Sequence, residues 1–563
     1  MPLPIEPDPA ALAQTCLARG DPQGAWTAAT RGMAQAPSRA DLCFLAGVAA
    51  LQLGALREAA EALRRALALQ PRLVEARANL GRVLELQGEL AQSAECYRAA
   101  IALQPAMAVL HTNLGSVLAR LEQAEEAQRC FNRALDLDAG QPGALANLGW
   151  LRYRRGEVEA GRKLLERAIV VAPGHVLGRY NLACVCSEQG ETALAEHHYR
   201  EVLRLDPRFK QAWFNLGYLL ADRGSEQEAA ACYERVLALD PAHADAQVNL
   251  AWILLAHGDY ARGLALYEAR HRSQLAADSA PPQVVFPEWQ GEDLTGRSIL
   301  IWPEMRLGDE VVMARFGPEL KKRGATRVTL VCKSPLQPLF ATLPQVDEVL
   351  SIDEARGGVP AHDCWALQAS LPWRLGVSPT RVPADLPYLA AAPARIDTWR
   401  RRLPENGIRV GLVWKGSGGM LQDPRSLAHL SELAPLWEVA GVRFVSLQKG
   451  RGEDEAAAPP PDQPLLHLGS DIADFADTAA ILEQLDLLIS VDSAVVHVAG
   501  ALGKACWVLV PAARAFWLWG RQGDTTPWYG PNLRLFRQAP GEAWSECILR
   551  LRDALQEWRA KGR

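Results

Sequence analysis

The segment NLGYLLADRGSEQEAAACYERVLALDP, residues 215–241, decides the fold of the N-terminal half of this 563-residue chain. Its outline recurs every 34 residues, with a leucine followed by a small residue, a large side chain further on, and a closing proline. A fixed period of this length indicates stacked helical hairpins that bury one continuous core. The marker prolines are Pro37, Pro71, Pro105, Pro173, Pro207 and Pro241, and the marker leucines are Leu80, Leu114, Leu148, Leu182, Leu216 and Leu250.

Each marker has a physical reason. A small residue such as Gly217 lets two antiparallel helices approach closely, a large side chain such as Tyr233 wedges between them, and a proline such as Pro241 ends the second helix. The pattern resembles the tetratricopeptide repeat in all of these positions. It predicts a solenoid over residues 1–273, with seven hairpins over about 40–273 and a degenerate one before them.

One asparagine per repeat precedes the marker leucine. An amide offers a donor and an acceptor, so a ladder of asparagines predicts a face that binds a peptide backbone. The alternative is that these side chains bond only within the array. At about 1 kcal/mol net per hydrogen bond, the face would bind weakly and tolerate many sequences. The six are Asn79, Asn113, Asn147, Asn181, Asn215 and Asn249, out of nine asparagines in the chain.

Composition limits the partners and the location. A net charge of −5 gives no reason to expect a nucleic acid partner. No apolar run reaches the roughly 18 residues of a membrane span, and the first residues carry no secretory signal pattern. The eleven cysteines are scattered without a Cys-x-x-Cys pair, which is typical of buried thiols in a reducing compartment. We therefore predict a cytoplasmic location.

The pattern changes after residue 273. Residues 274–287 are predicted to be a linker, and beyond them apolar runs alternate with helical patterns, which predicts buried parallel strands in doubly wound units. A break near residues 383–393 divides this region into two Rossmann-like lobes, 288–395 and 396–563. Ligands of such folds bind at the carboxyl ends of the strands. The predicted strands are 298–302, 327–332, 409–414, 442–447, 486–491 and 505–510.

The loop after the first of these strands carries Gly308 and Asp309. Gly308 is expected to let backbone approach a ligand. Asp309 stands at the start of the next predicted helix, where a carboxylate can take a proton from an acceptor hydroxyl. The alternative is that Asp309 only caps that helix.

Cationic and hydroxyl side chains follow two strands of the second lobe. Lys415 and Arg425 are placed to neutralise a diphosphate leaving group, with Ser417 donating a hydrogen bond, although cations in loops are often only solvated. Gln448 and Lys449 follow the next strand.

The most specific pattern is a predicted strand followed directly by a predicted helix start at Asp492 and Ser493. A helix beginning there directs free backbone N–H groups at whatever lies above it, which makes a pyrophosphate site. His497 lies four residues after Ser493 and shares its face. It either reaches a donor phosphate or ribose, or it is a satisfied histidine of the core.

Together, residues 304–309, 414–426, 446–450, 474–479 and 492–500 resemble the bacterial glycosyltransferase family of the ADP-heptose:lipopolysaccharide heptosyltransferases, in its repeat-bearing branch. The layout is also similar to that of the O-linked N-acetylglucosamine transferases. The resemblance implies a GT-B fold, no metal and no cofactor, and a nucleotide-sugar donor held as substrate. It makes Asp309 the base and lines the donor site with Gly308, Lys415, Ser417, Arg425, Gln448, Lys449, Asp492, Ser493 and His497.

The chain departs from that family in three ways. Heptosyltransferases proper lack the repeats and use lipid-linked acceptors, Lys415 stands where a small residue is usual, and Met305 and Arg306 replace a more usual Gln-Gly. The predicted function is transfer of a sugar from a nucleotide-diphosphate donor to Ser or Thr of a protein presented by the repeats. The alternatives are a non-catalytic scaffold with a degenerate transferase domain, and a transferase acting on a glycan or lipid-linked acceptor.

Overall fold

The computed structural model describes residues 8–273, 282–383, 385–416 and 425–561. Residues 8–273 form sixteen α-helices in sequential antiparallel pairs, as the 34-residue repeat predicts. The pairs are α1 (Pro9–Ala18) and α2 (Pro22–Gln35), α3 (Ala40–Gln52) and α4 (Leu56–Leu69), α5 (Val74–Gln87) and α6 (Leu90–Leu103), α7 (Ala108–Arg120) and α8 (Ala124–Leu137), α9 (Pro142–Arg154) and α10 (Val158–Val171), α11 (Val176–Glu188) and α12 (Thr192–Leu205), α13 (Lys210–Asp222) and α14 (Glu226–Leu239), and α15 (Ala244–Ala256) and α16 (Tyr260–Tyr267).

The predicted packing inside each hairpin is confirmed. A Cβ built at Gly217 would lie 2.9 Å from the ring of Tyr233, and one at Gly115 would lie 2.5 Å from that of Phe131. The two rings are about 1% exposed. Because a methyl group has no room there, the small residue sets the helix spacing and the aromatic ring fills it.

The chain forms two compact units, Met1–Ala212 and Trp213–Arg563. The last two hairpins therefore belong with the region that follows, although the sequence pattern of the repeats continues to residue 273. Within the second unit, the Trp528 indole N–H donates to the Tyr260 hydroxyl at 2.8 Å, and Arg521 pairs with Glu226 at 2.7 Å. These contacts link repeat helices to the α/β region.

The α/β region contains two fully parallel sheets. The strands are β1 (Ser298–Trp302), β2 (Arg327–Cys332), β3 (Glu348–Ser351), β4 (Cys364–Leu367), β5 (Ile408–Val413), β6 (Val442–Ser446), β7 (Leu466–His467), β8 (Leu487–Val491), β9 (Cys506–Val510) and β10 (Leu533–Arg537). The first sheet has the strand order β3-β2-β1-β4 and the second has the order β10-β9-β8-β5-β6-β7. The six predicted strands are confirmed to within a residue at each end, and β3, β4, β7 and β10 were not predicted.

Helices follow most of the strands. Helix α22 (Pro393–Arg400) spans the position between residues 395 and 396 at which the sequence divides the lobes, and Arg395 forms ion pairs with Asp474 and Asp477 beside the second sheet. The helices are α17 (Leu307–Ala314), α18 (Phe316–Lys322), α19 (Gln337–Phe340), α20 (Ile352–Arg356), α21 (Leu371–Arg374), α22 (Pro393–Arg400), α23 (Glu453–Ala457), α24 (Phe475–Leu482), α25 (Ala494–Ala501) and α26 (Trp544–Ala560).

Candidate functional site

The strand order places most of the predicted site residues just after the carboxyl ends of the central strands of the two sheets. In the first sheet the connections reverse direction between β1 and β4, and in the second between β5 and β8. Loops that leave the carboxyl ends of such neighbouring strands diverge and open a crevice. Asp309 follows β1, Lys415 follows β5 and Asp492 follows β8. A Cβ at Gly416 would lie 3.5 Å from the Asp492 carbonyl oxygen, so the loops after β5 and β8 are neighbours.

Gly308 lies at the contact between two helices, α17 after the first sheet's β1 and α25 after the second sheet's β8. A Cβ at this position would lie 2.8 Å from His497 Cδ2 and 3.2 Å from the Ala494 α-carbon. Helices α17 and α25 therefore meet at their first turns, one from each sheet. The sequence predicted that Gly308 allows backbone to approach a ligand, and the structure shows that it allows one helix to approach the other.

Asp309 is half-buried in the first turn of α17. Loss of water around its carboxyl group raises the pKa to about 6, and the negative charge of Asp492 adds to the increase. A carboxyl group with this pKa exchanges its proton close to neutral pH, which suits a general base. Two carboxyl groups from different sheets thus act on each other at this edge.

His497 is a neutral, buried side chain. Its Nδ1 lies 3.0 Å from the Tyr529 hydroxyl, its ring stacks on Trp519 at 5.3 Å, and its Nε2 is 4.0 Å from Asp492 Oδ1. Burial lowers the pKa of His497 to about 3, and the charge of Arg315 lowers it further. These contacts match the core alternative, and a contact between His497 and a donor stays a prediction.

The start of α25 is partly exposed at residues 492–495. Ser493 is its N-cap residue, but the hydroxyl lies 3.0 Å from the Ser490 hydroxyl and makes no capping bond to the helix in the described part of the chain. The first N–H groups of a helix have no partner within the helix. A helix start of this kind can bind an anion, and binding of a pyrophosphate at this turn stays a prediction.

Lys415 has a partner that the sequence did not reveal. Its ammonium group pairs with Glu455, whose second carboxylate oxygen accepts a hydrogen bond from the Leu430 N–H at 2.6 Å. The ammonium group was predicted to face a diphosphate, and in the structure a carboxylate already neutralises it. Arg425, the first described residue after Gly416, is half-buried. Ser417 lies outside the described residues.

Gln448 holds the same loop in place. Its Oε1 accepts from the backbone N–H groups of Trp414 and Lys415 at 3.0 and 3.1 Å, and its Nε2 donates to the carbonyl oxygens of Lys415 and Arg451 at 2.9 and 2.7 Å. The amide is therefore fully used by backbone, so Gln448 shapes the site and has no polar atom left for a ligand. Lys449 extends its ammonium group to within 3.4 Å of the Gly469 carbonyl oxygen.

The asparagines of the repeats are partly engaged within the array. The Asn79 amide donates to the Glu75 carbonyl oxygen at 2.9 Å, the Asn147 amide donates to the Ser116 hydroxyl at 2.7 Å, and Asn181 is 6% exposed. The other three, Asn113, Asn215 and Asn249, are half-buried. Binding of a peptide by this series stays a prediction.

Sequence reasoning missed a buried ionic cluster beside Asp309. Arg270, which follows α16, binds both carboxylate oxygens of Glu304 at 2.7 and 2.9 Å and also pairs with Glu268 at 2.7 Å. Its guanidinium group lies 4.9 Å from the ring of Tyr267, the last residue of α16. Burial raises the pKa of Tyr267, and the charge of Asp309 is among the further causes. A repeat residue therefore lies near the candidate base.

A second buried carboxyl group, Glu310, follows Asp309 directly. Burial raises its pKa to about 7, while the backbone N–H and the ammonium group of Lys333 act in the opposite direction.

Among the described residues there is no group of three side chains suited to hold a metal ion. No helix in the described ranges is both long and apolar enough to cross a membrane.

Comparison with known proteins supports the repeats. The tetratricopeptide repeat family matches residues 44–108, 112–175, 180–231 and 227–276. The chain is similar to Protein FlbA of Caulobacter vibrioides, with 29% identity over 314 residues, which are 51% of each protein. The chain thus spans about half the length of the curated relative it matches.

The chain is also similar to several solved structures. A repeat protein from Parabacteroides merdae has 15% identity, covers 44% of this chain and 97% of its own, and gives a TM-score of 0.38. The APC/C hetero-tetramer Cut9–Hcn1 has 15% identity, covers 43% and 48%, and gives 0.40. MamA from Desulfovibrio magneticus has 22% identity, covers 30% and 98%, and gives 0.28.

Proposed function

We propose that this chain is a glycosyltransferase of the GT-B type that moves a sugar from a nucleotide-diphosphate donor to a Ser or Thr hydroxyl of a protein. The observation that supports it is Asp309, a carboxyl group with a pKa of about 6 at the carboxyl edge of a parallel sheet. It lies where the first turns of α17 and α25 meet.

The starts of two helices serve the two sides of the proposed reaction: Asp309 in α17 acts on the acceptor, and the first turn of α25 acts on the leaving group. Asp309 takes the proton of the acceptor hydroxyl, and the acceptor oxygen forms a bond to the anomeric carbon. The bond between that carbon and the diphosphate breaks, and the nucleoside diphosphate leaves with the electron pair. The N–H groups of the first turn of α25 stabilise the negative charge of the leaving group.

A protein acceptor is proposed because the repeats are of a type that generally mediates protein interactions. The last repeat brings Tyr267 and Arg270 to the loop before Asp309. A glycan or lipid-linked acceptor would use the same base but would not depend on the repeats.

The test uses the whole chain with UDP-, ADP- and GDP-sugars, and with a CMP-sugar, whose leaving group is a monophosphate. At least one of the three diphosphate donors should raise the melting temperature of the wild type and of Asp309→Asn alike. Transfer to a set of Ser- and Thr-containing peptides should fall about 10²- to 10⁴-fold in Asp309→Asn, because the base is lost. Asp397→Asn changes a carboxylate that is 63% exposed and should behave as wild type.

The second candidate function is a non-catalytic scaffold. It is favoured by the internal use of Lys415, Gln448 and His497, which occupies three side chains expected to hold the donor. The scaffold becomes the better explanation if none of the four donor classes changes the melting temperature.

A further inference from the structure

Arg270 is a buried arginine whose five N–H groups all have partners. Its Nε and Nη2 donate to Glu304 at 2.9 and 2.7 Å, and Nη2 also donates to the Ser370 hydroxyl at 2.8 Å. Its Nη1 donates to the Tyr267 carbonyl oxygen at 3.2 Å and to Glu268 at 2.7 Å. A guanidinium group carries its five donors in a fixed plane, so these contacts hold it in one orientation.

Glu304 receives two of these bonds within the loop that leads to the candidate base. The loop joins β1 to α17, and Asp309 lies in the first turn of that helix. Both carboxylate oxygens of Glu304 accept from Arg270, and one of them also accepts from the Ala369 N–H at 3.0 Å. The loop is therefore held by the end of the repeats and by the residues that follow β4.

Lys333, which follows β2, holds the same loop from the sheet. Its ammonium group donates to the Met305 carbonyl oxygen and pairs with Glu310 at 3.2 Å, and its backbone N–H donates to Glu310 at 3.1 Å. These contacts fix residues on both sides of Asp309. Arg270 differs because it comes from the end of the repeats, so the orientation of the loop depends on the last hairpin as well as on the sheet.

We propose that Arg270 is a positioning residue, which acts through Glu304 to hold Asp309 where it can take the proton of the acceptor hydroxyl. This inference rests on the proposed function and gives the last repeat a part in it. Compared with apolar side chains of the same size, a buried ion pair often adds little stability. The pair does fix a geometry, and misplacing a reacting group by about 1 Å can lower a rate about 100-fold.

The test compares Arg270→Lys with Arg521→Lys in the whole chain. Arg521 also links a repeat helix to the α/β region, through its pair with Glu226 at 2.7 Å, but it lies outside the loop before Asp309. Lysine keeps the positive charge and loses the planar set of donors. The kcat of Arg270→Lys should fall about 10- to 100-fold, because the base is displaced. Its KM for the diphosphate donor should stay at the wild-type value, and Arg521→Lys should keep the wild-type kcat.

Hydrogen exchange gives a second readout that needs no substrate. Peptides covering residues 304–314 should exchange about tenfold faster in Arg270→Lys than in wild type, because the loop has lost a contact that holds it closed. In Arg521→Lys the same peptides should exchange as in wild type. Ser370→Ala removes one acceptor of Arg270 and should cause a smaller change in the same direction. If Arg270→Lys does not fold, Ser370→Ala decides by the same two measurements.

The proposal is overturned if exchange of residues 304–314 is unchanged in Arg270→Lys, or if it rises equally in Arg521→Lys. A wild-type kcat in Arg270→Lys, or a loss confined to the donor KM, would also overturn it. If the wild type transfers no sugar from any donor, the proposed function fails. The exchange measurement then still decides whether Arg270 fixes the loop.

Discussion

Gly308 and His497 touch across the two sheets: a side chain as small as a methyl group at Gly308 would come within 2.8 Å of the imidazole ring. We therefore expect Gly308→Ala to lower the free energy of unfolding by about 1–3 kcal/mol, because overpacking forces neighbouring groups to shift. Urea denaturation measures the loss. Gly416→Ala is the matched control, since the nearest atom of the described residues would lie 3.5 Å from a Cβ there. Equal effects of the two substitutions would contradict the close contact.

Asp309 gives a pH dependence with a defined sign. The folded-state pKa of about 6 lies above the ordinary 3.8, so its ionisation weakens the folded state as pH rises from about 4 through 6. Activity that uses the carboxylate as base should rise between about pH 5 and 7, with a midpoint near 6. Rate profiles from pH 4.5 to 8 test the activity. Melting temperatures should show Asp309→Asn gaining stability over wild type at pH 8 but not at pH 4.

His497 should carry no charge between pH 5 and 8, because its pKa is about 3. The unfolded chain binds a proton at this residue below about pH 6.5 and the folded chain does not, so stability falls as pH drops through that range. At pH 5 the cost is about 2 kcal/mol. His497→Gln should remove most of this dependence in urea titrations at pH 5 and 7.5. Ring proton shifts of His497 that move between pH 5 and 8 would contradict a neutral imidazole.

The Glu304–Arg270 pair should be costly to break. Both side chains are about 5% exposed, so Glu304→Gln leaves a buried guanidinium group with less charge compensation and should lower the free energy of unfolding by about 3–5 kcal/mol. Asp471→Asn removes the partner of Arg402 in a pair that is 41% and 55% exposed, and should cost under about 1 kcal/mol. Urea unfolding of both variants measures the two losses of unfolding free energy.

The repeats and the longer strands could be predicted because their patterns are local. A 34-residue period specifies each hairpin, and runs such as Leu487–Val491 are buried along their whole length. Two of the missed strands lack that pattern. Strand β7 has two residues, and β3 has three half-buried residues out of four, so neither has a continuous apolar run.

The sequence could predict where the candidate site residues lie, but not which groups each side chain contacts. The residues after β1, β5 and β8 meet because parallel strands end at a common edge. What each side chain does depends on partners far along the chain, such as Glu455 for Lys415 and Tyr529 for His497. No local pattern encodes a contact across 30 or 40 residues. The packing of Gly308 against His497 follows from the fold as a whole.

The position of the unit boundary has a practical consequence. A fragment that starts after the last repeat would uncover Trp517 and Trp528, which are 3% and 0% exposed, and would leave Glu304 without Arg270. A cut before α13, which begins at Lys210, keeps those contacts and leaves the helix whole. Exchange of repeats between relatives should therefore be limited to the first six hairpins, and the final two should be kept together with the sheets that they pack against.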